Sequence, residues 1–313
     1  TYVAPPSGVL VVNNFQSGTD TFGALTNGQD VSTIYISGYG VAQVAGSTTS
    51  SAYGNIYAIS AAPVTYKEWD GSSSSTWSTS ANWTTSGAPN SSQVALFGNL
   101  GLGRLTSTLS GNTTIAGIKF DTDATSSYTL NQSGTRTLTL TGTVPYIQQA
   151  SGVAQNITGF TLALAANTVV DITGSGDLNI SSVIANSGGT RSLIRDGDGS
   201  GILNLTGANT FSGGLYVNQG IVRAGNSSAL GTGTANVSST GTLQASGGIT
   251  VTNAVNLTGQ GSGGIGALNN VSGSNTFSGT LTETGATRIT ANSGTTLSIT
   301  GNLTGTNTDT TYH

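Results

Sequence analysis

The residues best suited to chemistry in this chain are two close pairs of carboxylates. Asp121 and Asp123 are separated by a single residue, and Asp196 and Asp198 lie in an Asp-Gly-Asp-Gly run that follows Arg195. Paired acids can serve as general acid and base, and the second pair also offers oxygen ligands for Ca²⁺. Asp-Gly-Asp-Gly is equally an ordinary turn sequence, and neither pair has the spacing of an EF-hand loop. We therefore interpret both pairs as turn residues and expect no metal or other cofactor.

Other catalytic residue types are scarce. The chain has no cysteine, its one histidine is the last residue, His313, and its only glutamates, Glu68 and Glu283, lie in different regions. A Ser-His-Asp triad or a histidine metal site would have to use a chain terminus, which supports preorganised chemistry poorly. The sequence therefore predicts a protein that is not an enzyme.

Charged residues are also few, with 8 basic and 12 acidic residues in 313, or 6%. An ordinary globular domain has about 25%. The scattered cations and a sequence pI near 4.6 exclude the positive stripe that nucleic-acid binding requires. No apolar run approaches the ~20 residues of a membrane helix, so we expect no membrane span in this chain.

The elements that must position these residues are short Val, Ile, Leu and Thr runs separated by Gly, Asn and Ser. One pentapeptide, Asn-Thr-Phe-Ser-Gly, occurs twice, first from Asn209 and again from Asn275. Such repetition is typical of stacked β-coils, in which each coil buries its apolar face only against its neighbours. The sequence predicts an all-β parallel β-helix, or solenoid. The repeat-motif residues are Asn209, Phe211 and Gly213 in the first copy and Asn275, Phe277 and Gly279 in the second.

Apolar residues recur at an interval that fits one coil. The run 138–140, Leu-Thr-Leu, is followed by the run 162–164, Leu-Ala-Leu, and Leu257 is followed by Leu281 at the same interval. Alternation within each run places leucines on one face of a strand. The tetrapeptide Asn-Leu-Thr-Gly also recurs, and repeated Asn predicts amide ladders along the stack.

Aromatic residues divide the chain into three regions. Residues 1–66 hold six of the ten tyrosines and are interpreted as an N-terminal β-rich arm or assembly element. Residues 67–110 hold the tryptophans and predict a cap, because the end of a solenoid needs a cover. The alternative for this region is an exposed platform that stacks on sugar rings. Residues 111–313 are predicted to form the coils. The tryptophans are Trp69, Trp77 and Trp83.

A family resemblance covers much of the coil region. The segment 203–214, Leu-Asn-Leu-Thr-Gly-Ala-Asn-Thr-Phe-Ser-Gly-Gly, with the ordered Gly, Asn, Ala and Leu positions that follow it to Gly233, resembles the passenger-associated transport repeat of bacterial autotransporters. A partial second copy covers residues 273–279. The resemblance implies a right-handed parallel β-helix outside a bacterial cell. The chain lacks Met and ends without the long alternating strands of an outer-membrane barrel, so we expect a removed leader and a barrel-less passenger.

Two functions remain open. The first is an extracellular structural subunit that assembles head-to-tail into a surface filament, because the C-terminal coils carry neither charge nor proline to block an open edge. The alternative is a monomeric autotransporter-like adhesin or glycan-binding protein on the bacterial cell surface. The expected partners are therefore further copies of this chain or a glycan. The predicted assembly contacts are Val9, Leu10, Val11, Val12, Tyr35, Tyr39, Leu297, Ile299 and Leu303.

Overall fold

The computed structural model describes residues 9–10, 41–44, 59–62, 65–85 and 87–305. Contacts divide the chain into two compact units, Thr1–Thr65 and Tyr66–His313. The described residues form 28 strands and three short 3₁₀ turns and contain no α-helix. Within this part of the chain no helix has the length and hydropathy to cross a membrane.

The strands are β1 (Val9–Leu10), β2 (Val41–Val44), β3 (Ile59–Ala62), β4 (Thr65–Glu68), β5 (Gln93–Phe97), β6 (Thr106–Leu109), β7 (Thr113–Ile115), β8 (Gly117–Phe120), β9 (Thr129–Gln132), β10 (Thr137–Leu140), β11 (Tyr146–Gln149), β12 (Gln155–Ile157), β13 (Thr161–Leu164), β14 (Thr168–Ile172), β15 (Leu178–Ile180), β16 (Val183–Asn186), β17 (Leu193–Asp196), β18 (Ile202–Leu205), β19 (Leu215–Ala224), β20 (Ala235–Ser246), β21 (Thr250–Val251), β22 (Val255–Thr258), β23 (Leu268–Ser272), β24 (Ser274–Phe277), β25 (Leu281–Thr284), β26 (Ile289–Ala291), β27 (Thr296–Ile299) and β28 (Leu303–Gly305). The 3₁₀ turns are Ser80–Asn82, Leu100–Gly103 and Ser262–Gly264.

The first unit contains a small antiparallel sheet. Its strand order is β1-β3-β2, and both pairings are antiparallel. This topology differs from that of the second unit, whose described strand ladders are parallel.

The second unit is a parallel β-solenoid with three faces, which confirms the predicted fold class. Face 1 consists of β5, β8, β11, β14, β17, the first parts of β19 and β20, β22, β25 and β28. Nine parallel pairings join these strands, and at about 4.8 Å per step they span about 43 Å. Face 2 consists of β6, β9, β12, β15, β18, the second parts of β19 and β20, β23 and β26. Face 3 consists of β7, β10, β13 and β16, and then β21, β24 and β27.

A continuous apolar core runs along the inside of the three faces. On face 1, Ile147, Val170, Val217 and Leu257 occupy one inward row and are buried. Alternation along each strand sends the intervening residues outward. Burial of these stacked side chains is the main driving force for the fold, since a chain with so few charged residues has little to gain from ion pairs.

The predicted coil interval is right in one place and wrong in another. Leu138 pairs with Leu162 as expected. Leu257 pairs with Glu283, whereas Leu281 pairs with Val255, so this coil is longer than the predicted interval. The extra length lies in the turn that contains the 3₁₀ segment Ser262–Gly264. Turns of different length change the interval without breaking the strand register.

The regular ladder begins upstream of residue 111, where the sequence analysis placed its start. Strand β5 already pairs in parallel with β8, and β6 pairs with β9. The region 67–110 therefore contributes strands to faces 1 and 2 as well as the tryptophan cluster.

The three tryptophans are buried together at the start of the solenoid. Trp69, Trp77 and Trp83 are at most 2% exposed. The rings of Trp77 and Trp83 meet edge to face at 4.7 Å, and Trp83 lies 6.0 Å from the ring of Phe97 on β5. The Trp83 Nε1–H donates to the Trp77 carbonyl at 2.6 Å. Their burial excludes the exposed sugar-stacking platform, and their contact with Phe97 accords with a cap.

Amide ladders run along the outer side of the stack. On face 2, the Asn179 side chain donates to Asn156 at 3.0 Å, and Asn204 donates to Asn179 at 2.9 Å. The Asn-Leu-Thr-Gly copies do not occupy equivalent places, because Asn204 lies on face 2 and Asn256 on face 1. The ladder was therefore predicted correctly, but the tetrapeptide does not mark one repeating position.

Candidate functional site

The carboxylate pair Asp121 and Asp123 lies just after β8. Asp121 forms an ion pair with Lys119 at 3.3 Å. An oxygen of Asp123 and an oxygen of Glu68 each lie 2.8 Å from the position that a Cβ on Gly98 would take. The structure thus brings Glu68 to the Asp pair, a meeting that the sequence did not predict.

Burial raises the pKa of Glu68 above its ordinary value of 4.5. A hydrogen bond from the Leu100 backbone opposes this shift, and the neighbouring carboxylates of Asp123, Asp121 and Asp70 add to it. Among the described residues, no group of three or more His, Cys, Asp or Glu could hold a metal ion.

The two carboxylates of the second pair lie in different elements. Asp196 lies on the outer side of β17, and Asp198 follows in the turn. Arg195 points into the solenoid and is fully buried, where it donates to the carbonyls of Asp196, Gly197 and Gly201. Burial lowers the pKa of Arg195 to about 10, and Asp171 and Asp196 oppose that shift. Arg195 is therefore charged at neutral pH and cannot act as a base.

A row of outward side chains follows face 1 across eight coils, and we call it the outer ladder. Its first four members in chain order are aromatic or aliphatic, and the fourth, Tyr216, is 40% exposed. Its last four members are Asn or Thr, and the Asn256 amide donates to Asn236 at 2.8 Å. In register, the ladder is Tyr146, Val169, Ile194, Tyr216, Asn236, Asn256, Thr282 and Thr304.

A second outward row lies on the three strands that hold the first three members of the outer ladder. It consists of Gln148, Asp171 and Asp196 on three consecutive coils, and we call it the acceptor column. The Gln148 amide donates to Asp171 at 3.3 Å. On the preceding coil, Gln148 pairs with Lys119, whose ammonium group is engaged by Asp121. Because outward residues of one strand are about 7 Å apart, the column and the ladder form adjacent tracks.

The buried Gln148 side chain has one acceptor atom without a hydrogen bond within the described residues. Its side chain is 2% exposed. Within the described part of the chain, its Oε1 has no hydrogen-bond partner. A buried acceptor without a hydrogen bond lowers the stability of the fold.

The sequence analysis missed the outer ladder. The face-1 interval is longer between Tyr146 and Val169 than it is between Tyr216 and Asn236. A fixed period therefore cannot align these residues. The signal that was present is the alternation within each strand, which places Tyr216 outward between the buried Leu215 and Val217.

The asparagine of the repeated pentapeptide forms hydrogen bonds with a neighbouring coil. The Asn209 Oδ1 accepts the Ile184 N–H at 2.8 Å, and its Nδ2 donates to the Ala229 carbonyl at 2.7 Å. In the second copy, the Asn275 Oδ1 accepts the Ile249 N–H at 2.7 Å. Each Asn thus bridges to the preceding coil through a buried backbone group.

The phenylalanine and glycine of the motif complete this role. Phe211 and Phe277 are fully buried in the core. A Cβ on Gly213 would overlap the backbone of Arg191, and one on Gly279 would overlap the backbone of Asn253. Glycine is required at both places because two coils pass in close contact.

Comparison with known proteins identifies the segment that holds the first copy. Residues 198–224 match the passenger-associated-transport-repeat family model. The predicted resemblance is thereby confirmed for this part of the chain. A 75-residue stretch is 47% identical to the Adhesin BmaC autotransporter of Brucella suis biovar 1 (strain 1330). That stretch is 24% of this chain and only 2% of the relative. No solved structure matches the chain.

The passenger-associated-transport-repeat segment contains parts of both features described above. It holds Asn209, Phe211 and Gly213 of the motif, and also Tyr216 of the outer ladder. The second motif copy lies outside the matched residues.

The predicted assembly contacts fall into three groups. Val9 and Leu10 form β1, whereas Val11, Val12, Tyr35 and Tyr39 lie outside the described residues. Leu297 and Ile299 are partly buried and pack against the core. Leu303 on β28 is 43% exposed. Their proposed role in assembly stays a prediction.

We predict that Asn209→Ala lowers the free energy of unfolding by about 2–4 kcal/mol, since it leaves a buried N–H and a buried carbonyl without partners. Asn256→Ala removes an amide from the exposed ladder, where water can replace it, and should change stability by less than about 1 kcal/mol. Chemical denaturation of both variants measures the difference. Equal losses would contradict the bridging role of Asn209.

We also predict that Glu68→Gln raises the thermal midpoint at pH 7. The folded pKa of Glu68 lies above its unfolded value, so the charged carboxylate lowers stability as pH rises through the folded pKa. Well below pH 4.5 the two proteins should unfold at the same temperature, because Glu68 is then protonated in both states. Asp198→Asn, at a turn carboxylate, is the control. A gain of the same size at acidic pH would refute the electrostatic explanation.

Proposed function

We propose that this chain is part of a non-enzymatic, adhesin-like passenger that acts outside a bacterial cell. The observation that carries the proposal is the 47% identity over 75 residues to an adhesin autotransporter. The match of residues 198–224 to a passenger-associated-transport-repeat supports the same setting.

The architecture is suited to this role. A solenoid keeps its outward side chains in fixed rows, so contact residues on successive coils are positioned without further packing. The outer ladder provides such a row with Ile194 and Tyr216 at its centre. The carboxylates that could have served catalysis lie in turns or on the outer side of strands, and Arg195 is engaged by backbone carbonyls.

Attachment of coated microspheres tests the proposal. Beads that carry the purified folded chain are expected to be retained on cultured epithelial cells under flow, in a dose-dependent and saturable way. Free folded chain should compete for the same sites. Beads coated with the heat-unfolded chain are the control, and equal retention of the two preparations on every surface would overturn the adhesin role.

Self-assembly into a filament is the second candidate function. The supporting observation is the apolar surface of the last described strands, where β27 pairs with β24 and β28 pairs with β25. Leu297 and Ile299 are only partly buried there, and Leu303 is 43% exposed. Strand edges with apolar side chains favour pairing with another chain unless a charge blocks them.

Leu303→Lys tests this second candidate. If copies associate through this surface, light scattering of the wild-type chain should show mass that increases with concentration, and the introduced charge should abolish the increase. Val144→Lys is the matched control, because Val144 is 42% exposed but lies far from β28 in the coil order. Strict monomers at all concentrations, or the same loss in both variants, would argue against end-to-end assembly.

A further inference from the structure

Face 3 of the solenoid is interrupted where the first copy of the pentapeptide lies. Among the described coils, β16 is followed on this face by β21, and the segments that cross the face between them, residues 206–214 and 225–234, contain no strand. On either side of the interruption the strands are paired in parallel ladders. The wall of the solenoid therefore changes from a continuous ladder to stacked turns at this place.

A surface cleft of about 420 Å³ lies beside this interruption, and we call it the corner cleft. Two of its lining residues, Thr234 and Ala254, directly precede strands β20 and β22, so it lies at the corner where face 3 ends and face 1 begins. Sites for small ligands are typically about 300–1,000 Å³, so the corner cleft has the volume for a short ligand. None of the described residues that line it is charged.

The lining of the corner cleft is rich in side-chain hydroxyls. Ser228, Thr232 and Thr252 are exposed there. The Ser227 Oγ accepts the Thr250 N–H at 3.0 Å, and a serine that accepts in this way still has a proton to donate. Each hydroxyl is both a donor and an acceptor, so this surface matches a partner that also presents hydroxyl groups.

Hydrogen bonds to the backbone hold the walls of the corner cleft in place. The Asn253 amide donates to the Gly231 carbonyl at 3.1 Å and to the Gly233 carbonyl at 2.7 Å. The Thr232 N–H donates to the Phe211 carbonyl at 2.9 Å. A Cβ on Gly231, where φ is +72°, would overlap that same carbonyl. The site is therefore preorganised, which reduces the ordering cost of binding.

An exposed tyrosine lies beside the corner cleft on face 1. Thr234 precedes Asn236 by two residues, about 7 Å along the strand. Asn236 pairs with Tyr216 on the preceding coil and with Asn256 on the following one, at steps of about 4.8 Å. Tyr216 is 40% exposed, and the Asn256 amide donates to Asn236. The corner cleft is thus flanked by an aromatic ring and a short ladder of amides.

The chemistry of this surface favours one class of ligand. A charged ligand would lose its hydration at the corner cleft without gaining a partner of opposite charge. An apolar ligand would meet only Ala254 and glycine among hydroxyls and amides. A neutral sugar presents several hydroxyls for the lining and an apolar C–H face for the ring of Tyr216.

We propose that the corner cleft, together with Tyr216 and the amides of Asn236 and Asn256, binds a neutral oligosaccharide. One sugar unit enters the cleft and bonds to Ser228 and Thr252, and the next unit lies on Tyr216. This inference rests on the proposed adhesin-like function and names the class of ligand that the passenger contacts.

Nuclear magnetic resonance titration of the purified chain with defined probes tests the proposal. The neutral probes are cellotetraose, mannotetraose and lacto-N-neotetraose, and the comparison probes are tetragalacturonic acid and an uncharged Gly-Ser-Thr octapeptide. At least one neutral sugar should bind about tenfold or more tightly than either comparison probe. Raising NaCl from about 0.1 M to about 1 M should change its affinity by less than about twofold, because no ion pair is formed.

Matched variants locate the site. Ser228→Ala/Thr252→Ala should weaken binding of the sugar by about tenfold or more, since two hydrogen bonds are lost. The control Thr173→Ala/Ser293→Ala removes two exposed hydroxyls outside the corner cleft and should leave the affinity unchanged. 

Tyr216→Ala should also weaken binding, whereas Ile265→Ala, at an apolar side chain of similar exposure (38%), should not. Circular dichroism and thermal unfolding of each variant separate lost binding from lost folding.

The outcomes distinguish this inference from the proposed function. No binding of the three neutral sugars, tighter binding of the peptide or the acidic sugar, or equal losses in the control variants would overturn the neutral-sugar site. If coated beads still adhere in that case, the adhesin-like function stands and its contact surface lies elsewhere. If the beads fail to adhere but a neutral sugar binds at Ser228 and Thr252, the site stands without the adhesive role.

Discussion

The interaction on which this structure depends is the parallel hydrogen bonding between one coil and the next. A strand within the stack has a neighbour above and below, so its backbone groups are satisfied only if the coils stay in register. Register fixes which residues point inward, because a shift of one residue would exchange the core row for the outer row. The inward row that contains Ile147, Val170 and Val217 and the outward row that contains Val169 and Ile194 are therefore consequences of one constraint.

The turns between strands vary in length, whereas the strands must stay in register. The turns also leave inward carbonyls and N–H groups that no strand pairing satisfies. Two buried side chains form hydrogen bonds with these groups. Arg195 donates to turn carbonyls, and Asn209 bridges the Ile184 N–H and the Ala229 carbonyl. These buried polar groups are tolerable in the core because each is placed against a specific backbone group.

This division explains what could be predicted from the sequence. In alternating runs such as Leu138-Thr139-Leu140, the local pattern indicates a strand and which of its side chains face inward. The fold class and the pairing of Leu138 with Leu162 could therefore be predicted from the sequence. The pairing of Leu257 did not, since it depends on the length of a turn that has no fixed period. The meeting of Glu68 with Asp123, and the row from Val169 to Tyr216, depend on several turns at once. These features exist only after every coil has been placed.

Function in such a scaffold is specified by residues that folding leaves unconstrained. Outward side chains on the faces contribute little to the core, so neutral Asn, Thr and Ser are sufficient there for solubility and for ladder formation. A carboxylate at an outward position is less favourable, especially opposite another carboxylate. Asp171 and Asp196 are such a pair, and the buried Arg195 guanidinium interacts with both of them from inside the solenoid, which makes the pair tolerable within the fold.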